Sequence, residues 1–339
     1  MAWKSWSRNL GIDLGTANIL VYAEGQGIVL REPSVVAVEA RTQRVLAIGE
    51  EAHEMVGRTP GGITAVRPLA DGVIADFDMT EVLLRRLLQK VIGTRFRMAF
   101  PPRIVVCAPC GVTEVERRAV EDVVRSAGAR STMLVEEPMA AAIGAGLDVA
   151  DATGSMVVDI GGGTTEVAVI SLGGIVQSAS LRIAGNHMNE TLCNYIRRQY
   201  DLLVGERTAE EIKINLGSAY PVRDDMAMEF RGRDLTMGLP RTMRIGAAEV
   251  REALAEPVQS IVEVIRNTLE ETPPELSSDI MSGGIVLTGG GAMLYGLDRC
   301  ISEATGLPVR VAENPLDCVA IGAGKIAAAG YDMVSTNFA

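Results

Sequence analysis

One pattern occurs twice in this chain of 339 residues and limits what it can fold into. Gly11-Ile-Asp13-Leu-Gly15-Thr16, followed by the apolar run Ile19-Leu-Val-Tyr22, returns as Val158-Asp159-Ile160-Gly161-Gly162-Gly163-Thr164, followed by Val167-Ala-Val-Ile170. Each copy reads as an apolar strand with an aspartate at its end, a glycine turn carrying a hydroxyl, and a second strand. The two aspartates are separated by nearly half of the chain. Two similar halves with facing hairpins make a cleft, a favoured place for a ligand.

The segments around the hairpins alternate between strand and helix, the pattern of an α/β protein. Residues 9–14 and 18–23 read as strands, with shorter ones at 27–31, 34–38 and 44–48. A helix is predicted from near Asp78, with Leu83, Leu84, Leu87, Leu88 and Val91 on one face, stopping at Gly93. After a buried strand at 104–107, Thr113-Glu-Val-Glu116 has the form of a capping box opening a helix that runs to Gly128. A strand at 133–135 leads through Glu136-Glu137-Pro138 into an alanine-rich helix ending at Ala145; Pro138 suits the first turn, where its missing N–H costs nothing. The second half predicts strands at 155–160, 166–170 and 175–181 and a helix at 187–203 capped by Asn186. Thr208-Ala-Glu-Glu211 reads as a second capping box and 219–245 as a small β-rich insert. One long amphipathic helix is expected at 247–271, kinked at Pro257 and stopped by Pro273-Pro274. A strand at 285–288, a helix at 292–305 closed by Gly306 and a helix at 318–329 complete the pattern.

Glycine turns let backbone N–H groups approach an anion without obstruction, forming a nest for phosphate. An aspartate beside each turn repels phosphate unless a cation bridges the two, so Asp13 and Asp159 together imply Mg2+ held largely through its waters. A third glycine turn, Thr288-Gly289-Gly290-Gly291, precedes a helix and can offer its N–H groups to the same nucleotide. Any one such turn is as readily an ordinary tight connection; three, two of them duplicated and paired with aspartate, are not. Other nucleotide signatures fail. Position 319, where a P-loop ending at Gly324-Lys325 needs its first glycine, is Val, and the first hairpin runs strand–turn–strand rather than strand–turn–helix.

Composition excludes several classes. A net charge of −11 argues against a nucleic-acid partner, because phosphate contacts rest on Lys and Arg. A hydrophobic content of 47% excludes a disordered chain. No apolar run reaches the length of a membrane span, and the start of the chain lacks the apolar stretch of a secretory signal. A cytosolic protein with its five cysteines reduced is therefore expected. Cys107-Ala-Pro-Cys110 matches C-x-x-C just before the helix opened by Thr113, which leaves redox use open beside plain packing; zinc would need a second pair. His53 and His187 offer no catalytic pairing and read as surface or satisfied polar residues. Asp76, Asp78, Glu121 and Asp122 read as solvated faces or caps.

The hairpins at 11–18 and 159–166 with the turn at 288–291 resemble the superfamily of actin, the Hsp70 ATPase domain and sugar kinases. Eight blocks narrow the match: Gly11-Ile-Asp-Leu-Gly-Thr-Ala-Asn18, Glu32-Pro-Ser-Val35, Asp71-Gly-Val-Ile-Ala-Asp76, Glu136-Glu-Pro-Met-Ala-Ala-Ala-Ile-Gly144, Val158-Asp-Ile-Gly-Gly-Gly-Thr-Thr-Glu-Val-Ala-Val169, Gly205-Glu-Arg-Thr-Ala-Glu210, Thr272-Pro-Pro-Glu-Leu276 and Leu287-Thr-Gly-Gly-Gly291. In this order they resemble the MreB family, the bacterial actins of rod-shaped cells, over nearly the whole chain. The resemblance implies an actin-like ATPase fold: two duplicated α/β domains around a central nucleotide cleft, in four subdomains. Subdomain IA would take 1–36, 70–150 and 318–339, IB 37–69, IIA 151–186 and 250–317, and IIB 187–249.

Residue roles also follow from the resemblance. Asp13 and Asp159 would hold the hydrated Mg2+ of ATP. Thr16, Ala17 and Asn18 of the first hairpin, and Gly161, Gly162, Gly163, Thr164, Thr165 and Glu166 of the second, would surround the phosphates. Glu137 would orient the attacking water with help from the Thr164 hydroxyl, giving a slow ATPase coupled to polymerisation. By residue type alone, Glu136 or Glu137 serves equally as a helix cap. Lys213 and Asn215 match the segment lining the adenosine, with Asn215 standing where the family usually has Glu. Gly289, Gly290, Gly291, Ala292 and Met293 would close over the adenine side.

Trp3, Trp6 and Leu10 fall at i, i+3 and i+7 beside Lys4 and Arg8, a short amphipathic pattern suited to a membrane surface. The segment holding Phe96, Met98 and Phe100 between arginines resembles the hydrophobic membrane loop of some family members. A frayed terminus and a loop tucked onto the body is the other reading. The function implied is an ATP-dependent bacterial actin that polymerises as paired protofilaments, peripheral at the inner face of the cytoplasmic membrane. Its partners would be its own copies, that membrane and the cell-wall elongation machinery, with no nucleic acid; its role would be to maintain rod shape. An Hsp70-like soluble ATPase or chaperone module is the alternative, disfavoured by a chain that stops at Ala339 with no peptide-binding domain. A sugar kinase ranks third, for want of a sugar-binding carboxylate cluster.

Overall fold

The repeated pattern builds two five-stranded sheets with the same topology. The computed structural model describes residues 9–93, 101–221 and 224–329. In the first sheet the strand Asn9–Leu14 is central. It pairs antiparallel with Asn18–Ala23, which pairs antiparallel with Gly27–Pro33; on its other flank lie Arg103–Ala108 and then Ser131–Glu136, both parallel. In the second sheet Ser155–Ile160 takes the central place. Thr165–Ser171 and Gly174–Leu181 follow antiparallel on one side, Ile285–Thr288 and Val309–Val311 parallel on the other. The central strands are apolar on both faces because helices cover both, and Ile12, Val158 and Ile160 are fully buried.

Two helices bridge the sheets: Glu137–Gly144, and Cys318–Ala329 from far along the chain. Ala140, Ala141, Ala142 and Ala323 pack there with Val105 of the first sheet and Val157 and Ala168 of the second. Glycine lets the helices touch. A Cβ on Gly322 would stand 1.8 Å from the Ala140 carbonyl oxygen, and one on Gly144 the same 1.8 Å from that of Cys318.

Each half carries an outgrowth beyond the cleft. On the first, the strands Val36–Glu39, Val45–Ile48 and Ile63–Val66 with the helix Glu50–Met55 enclose Val35, Ala37, Ala47 and Ala52. On the second, the helices Gly185–Tyr200 and Glu206–Leu216 pack with a three-stranded sheet of Leu202–Leu203, Ala227–Asp234 and Pro240–Gly246.

The capping box at Thr113 and Glu116 is present, Asp76 caps the helix Phe77–Ile92, and Gly93 ends it. Other local expectations are corrected. The helix expected at 187–203 starts at Gly185 from Ala184, so Asn186 lies inside its first turn and does not cap it. Thr208 likewise lies within a first turn, since the helix Glu206–Leu216 starts from Gly205 without a side-chain cap. The segment 247–271 is two helices, Ala247–Ala253 and Ala255–Glu270, broken at Leu254; Pro257 sits in the first turn of the second, where no intrahelical bond is lost. Pro273-Pro274 both ends that helix and starts another, Pro274–Gly283. The helix expected at 292–305 divides into a 3-10 turn, Gly291–Met293, and the helix Leu297–Thr305, closed by a left-handed Gly306.

Leu10 belongs to the first strand and is 1% exposed, so it is no part of an amphipathic membrane helix. Trp3, Trp6, Phe96, Met98 and Phe100 lie outside the described residues. Among the described residues, no helix is long and apolar enough to cross a membrane.

Candidate functional site: a cleft between two glycine hairpins

The two hairpin turns meet across a cleft of about 500 Å³. Gly15 to Asn18 come from one half, and Gly161 to Thr164 from the other. They lie so close that a Cβ on Gly162 would be 2.6 Å from that of Ala17, and one on Gly163 2.6 Å from Thr16 Oγ1. Neither position admits a side chain. Each turn is held from behind. Ser34 donates from Oγ to the Gly15 carbonyl at 2.6 Å and from its N–H to the Ala17 carbonyl at 2.9 Å. The N–H groups of Gly185 and Asn186, at a helix start, donate to the Gly161 and Gly162 carbonyls at 3.1 and 2.8 Å. Pinning these carbonyls fixes the peptide planes that an anion would meet.

Three carboxyls line the same cleft: Asp13, Glu137 and Asp159. Burial, with the charges of Asp159 and Asp317, pushes Asp13 up to about 8. Burial raises Asp159 to about 6 in spite of a 2.7 Å hydrogen bond from Thr288 Oγ1. Glu137, the first residue of its helix and 8% exposed, is raised well above the usual carboxylate range by burial and by Asp13, Glu166 and Asp159. Among the described residues, no lysine or arginine figures in these shifts. Three acids gathered without a counter-charge suit a divalent cation, whose charge favours their ionised forms. No cluster of three His, Cys, Asp or Glu side chains able to grip a metal directly exists among the described residues. Mg2+, which keeps several of its waters when bound, is a divalent cation of that kind.

The other end of the cleft is apolar. Ile214, Met293 and Leu316 line it while 70%, 60% and 41% exposed, beside the backbone of Gly289, Gly290 and Gly291. Gly289 has φ +79, and a Cβ there would lie 2.3 Å from the Ile160 carbonyl oxygen, so this turn rests on the second hairpin. Lys213 donates from Nζ to the Gly185 carbonyl at 2.9 Å, and burial lowers its pKa.

Of the residues expected from sequence, Asp13, Thr16, Ala17, Asn18, Glu137, Asp159, Gly161, Gly162, Gly163, Thr164, Lys213, Gly289, Gly290, Gly291 and Met293 line this one cleft. Four do not. Thr165 Oγ1 donates to the Ile183 carbonyl at 2.7 Å, and Ala292 is buried. Glu166, fully buried, accepts from Ser180 Oγ at 2.6 Å and from the Cys110 N–H at 3.1 Å, which ties the two halves together away from the phosphate turns. Asn215 is exposed, its amide donating to the Glu211 carbonyl at 2.8 Å. Helical spacing explains Asn215: Glu210, Lys213, Ile214 and Gly217 form the stripe that lines the cleft, and Asn215 falls off it. The same spacing was the available signal for Glu210 and Ile214, which sequence reading missed.

Gly72 was also missed. Its N–H donates to Thr16 Oγ1 at 3.0 Å from a two-residue hairpin turn in which Asp71 and Gly72 both have positive φ, 49 and 77. The Asp-Gly dipeptide is the sequence signal for such a turn. Glu136 takes the N-cap position and Glu137 the first turn of that helix, where an acid suits the helix dipole, although neither side chain makes a cap hydrogen bond. Cys107 and Cys110 are buried, and burial with nearby carboxylates raises both thiols, which removes the thiolate that redox use needs. His53 departs from expectation too: its Nδ1 is buried without a hydrogen-bond partner.

A second cavity of about 520 Å³ adjoins the cleft and shares Thr16 and Asn186 with it. Arg67 and Asp71 line it from one half, Glu190 and Glu206 from the other. Arg67 Nη1 donates to Glu206 Oε2 at 2.6 Å across the gap.

Known proteins share this architecture. The family model described as MreB/Mbl protein matches residues 7–334. Cell shape-determining protein MreB of Escherichia coli (strain K12) is 56% identical over 324 residues, 94% of this chain and 93% of that protein. Cell shape-determining protein Mbl of Bacillus subtilis (strain 168) is 51% identical over 320 residues, 94% and 95% of the two chains. Among solved structures, MreB5 of Spiroplasma citri bound to ADP matches with a TM-score of 0.89 at 39% identity, covering 94% of this chain and 95% of that one. The same protein bound to AMPPNP gives 0.89 at 38%. The MamK double helical filament, at 22% identity and a TM-score of 0.80 over 94% and 98% of the chains, shares the fold. The fold is the actin-like one that the family resemblance implied.

Proposed function

This chain belongs to the MreB/Mbl family, and from that premise we propose that it is an ATP-dependent, filament-forming bacterial actin that works under the cytoplasmic membrane to organise cell-wall elongation. The observation that carries the nucleotide is the meeting of two aspartate-bearing glycine hairpins in one cleft, acidic at one end and apolar at the other. That MreB5 was solved with ADP and with AMPPNP supports an adenine nucleotide.

In this reading the turn N–H groups of 15–18 and 161–164 bind the phosphates, and Asp13 and Asp159 would hold a hydrated Mg2+. Bound Mg2+ would supply charge stabilisation to the transferred phosphoryl group. Glu137 orients the attacking water, with the Thr164 hydroxyl as its neighbour in the cleft. Ile214, Met293 and Leu316 take the base, with Lys213 beside the sugar.

Self-association has its own support. The turn between Ala227–Asp234 and Pro240–Gly246 exposes Leu235, Met237 and Leu239 at 42%, 72% and 59%. Leu172, in the turn between Thr165–Ser171 and Gly174–Leu181, and Met281, in the helix Pro274–Gly283, are 68% and 66% exposed. Apolar surface exposed on separate elements of one half suits addition of further copies. Paired protofilaments, peripheral attachment at the inner face of the cytoplasmic membrane, wall-elongation partners and the four subdomain boundaries are carried by the family resemblance. Family membership does not favour the Hsp70-like alternative.

The test is sedimentation and electron microscopy of the full chain with and without MgATP. Filaments are expected only with nucleotide. Glu137→Ala is expected to bind ATP like the parent and release phosphate roughly 100-fold more slowly; unchanged release removes Glu137 from the chemistry. Turnover stimulated by peptide or sugar, without filaments, would replace the reading altogether.

A further inference from the structure

Thr288 ends the strand Ile285–Thr288 and opens the glycine turn at 289–291, so its place in the sequence assigns it to the base side of the cleft. Its side chain, however, meets Asp159. Thr288 is fully buried and lies in register beside Asp159, with Oγ1 2.7 Å from Asp159 Oδ1 and 3.4 Å from the Val158 carbonyl. A hydroxyl has one proton to give, and the nearer, charged acceptor takes it.

The duplication supplies a comparison inside the same molecule. In the first sheet Ile12 pairs with Val106, so the next step of that register sets Cys107 beside Asp13, where the second sheet has Thr288 beside Asp159. A thiol is a weak donor, a hydroxyl a good one. The two acids of the cleft are therefore held differently, although the strands that carry them are copies.

We propose that Thr288 is a positioning residue for the cation side of the cleft: its hydroxyl donates to Asp159 Oδ1 and fixes the orientation in which the carboxylate would meet the waters of Mg2+. Asp159 is then the preorganised half of the pair, and Asp13 the half that adjusts. The same residue begins the turn that meets the base, so one threonine fixes the spacing between the two ends of the ligand. The proposal rests on the reading of this cleft as a Mg2+–nucleotide site.

The measurement is the affinity of the full chain for a fluorescent ATP analogue, titrated with Mg2+ and repeated in EDTA, for Thr288→Val and Thr288→Ser. Valine keeps the branched shape and removes the donor; serine keeps the donor and removes the methyl group. The Mg2+ concentration giving half-maximal tightening is expected to rise about tenfold in Thr288→Val, with the affinity in EDTA within about twofold of the parent. Thr288→Ser is expected to stay within about twofold of the parent in both conditions. Should Thr288→Val melt below the assay temperature, Thr288→Cys, which installs the group already beside Asp13, is expected to show the same selective loss. Equal losses with and without Mg2+, no change in Mg2+ dependence, or a serine variant that behaves like valine overturns the proposal. A parent protein whose affinity ignores Mg2+ overturns the reading of the cleft along with it; a Mg2+-dependent parent with an unaffected valine variant overturns this proposal alone.

Discussion

Asp13 carries the sharpest chemical consequence of any single residue here. Its carboxyl is raised from 3.8 to about 8, so between those values the folded state keeps a proton that the unfolded state has lost. Stability of the nucleotide-free protein therefore falls as pH rises through that window. Binding Mg2+ requires the ionised acid, so binding expels the proton and strengthens toward pH 8. MgATP is expected to raise Tm more at pH 8.5 than at pH 6. Asp13→Asn is expected to raise the Tm of the nucleotide-free protein at pH 8.5 by about 1–2 °C, the shift that roughly 1 kcal/mol gives a chain of this length. Thermal melts at the two pH values check both; a parent and variant with parallel pH profiles would show that burial of Asp13 is not what sets the dependence. Asp13, Asp159 and Glu137 were legible in the sequence because a glycine turn or a helix-opening proline marks where each must stand. Glu166 and Asn215 were not, because the direction of a side chain is set by what packs on it. Glu166 meets the Cys110 backbone of the other half, and Asn215 sits two residues off the stripe of Lys213.

Among the described elements, the hairpin of Ala227–Asp234 and Pro240–Gly246 carries an exposed apolar tip that does not line the cleft. Met237→Glu places a charge on its most exposed apolar residue, 72% accessible, and touches nothing in the cleft. It is expected to raise the concentration needed for filaments at least about tenfold while leaving ATP affinity unchanged, measured by sedimentation and fluorescence titration; filaments at the parent's threshold would remove this hairpin from the contact. Elements were read from sequence with uneven success for physical reasons. The strands of both hairpins and the capping box at Thr113 stood out because apolar runs and turn residues agree there. The helix Pro274–Gly283 was missed because proline was read only as a stop, whereas it also opens helices. Val309–Val311 is three residues long and only its neighbour Ile285–Thr288 makes it a strand. The break at Leu254 has no proline or glycine to announce it, only the different packing of the two helices on either side.

At the scale of the molecule, the halves meet at the floor through Glu166 and Cys110 and at the mouth through Arg67 and Glu206. The Arg67 and Glu206 side chains are 30% and 31% exposed, so water screens the pair and its worth is about 1 kcal/mol at most. That still corresponds to a several-fold change in how often the mouth opens. Arg67→Ala is expected to release nucleotide about fivefold faster in a chase experiment, and Arg67→Glu with Glu206→Arg to return toward the parental rate; a double variant as fast as the single one would mean that the pair is not the latch. Another consequence comes from the helix Cys318–Ala329. It covers the strand Asn9–Leu14 so closely that a Cβ on Gly11 would lie 2.2 Å from the Gly324 nitrogen. The ribosome delivers that strand early and its cover late. The first sheet thus waits with one face uncovered until the helix Cys318–Ala329 is made, the kind of exposed apolar surface that invites aggregation. Two halves that look like separate modules on paper are, in the order of their making, a single unit that closes only when its distant helix arrives.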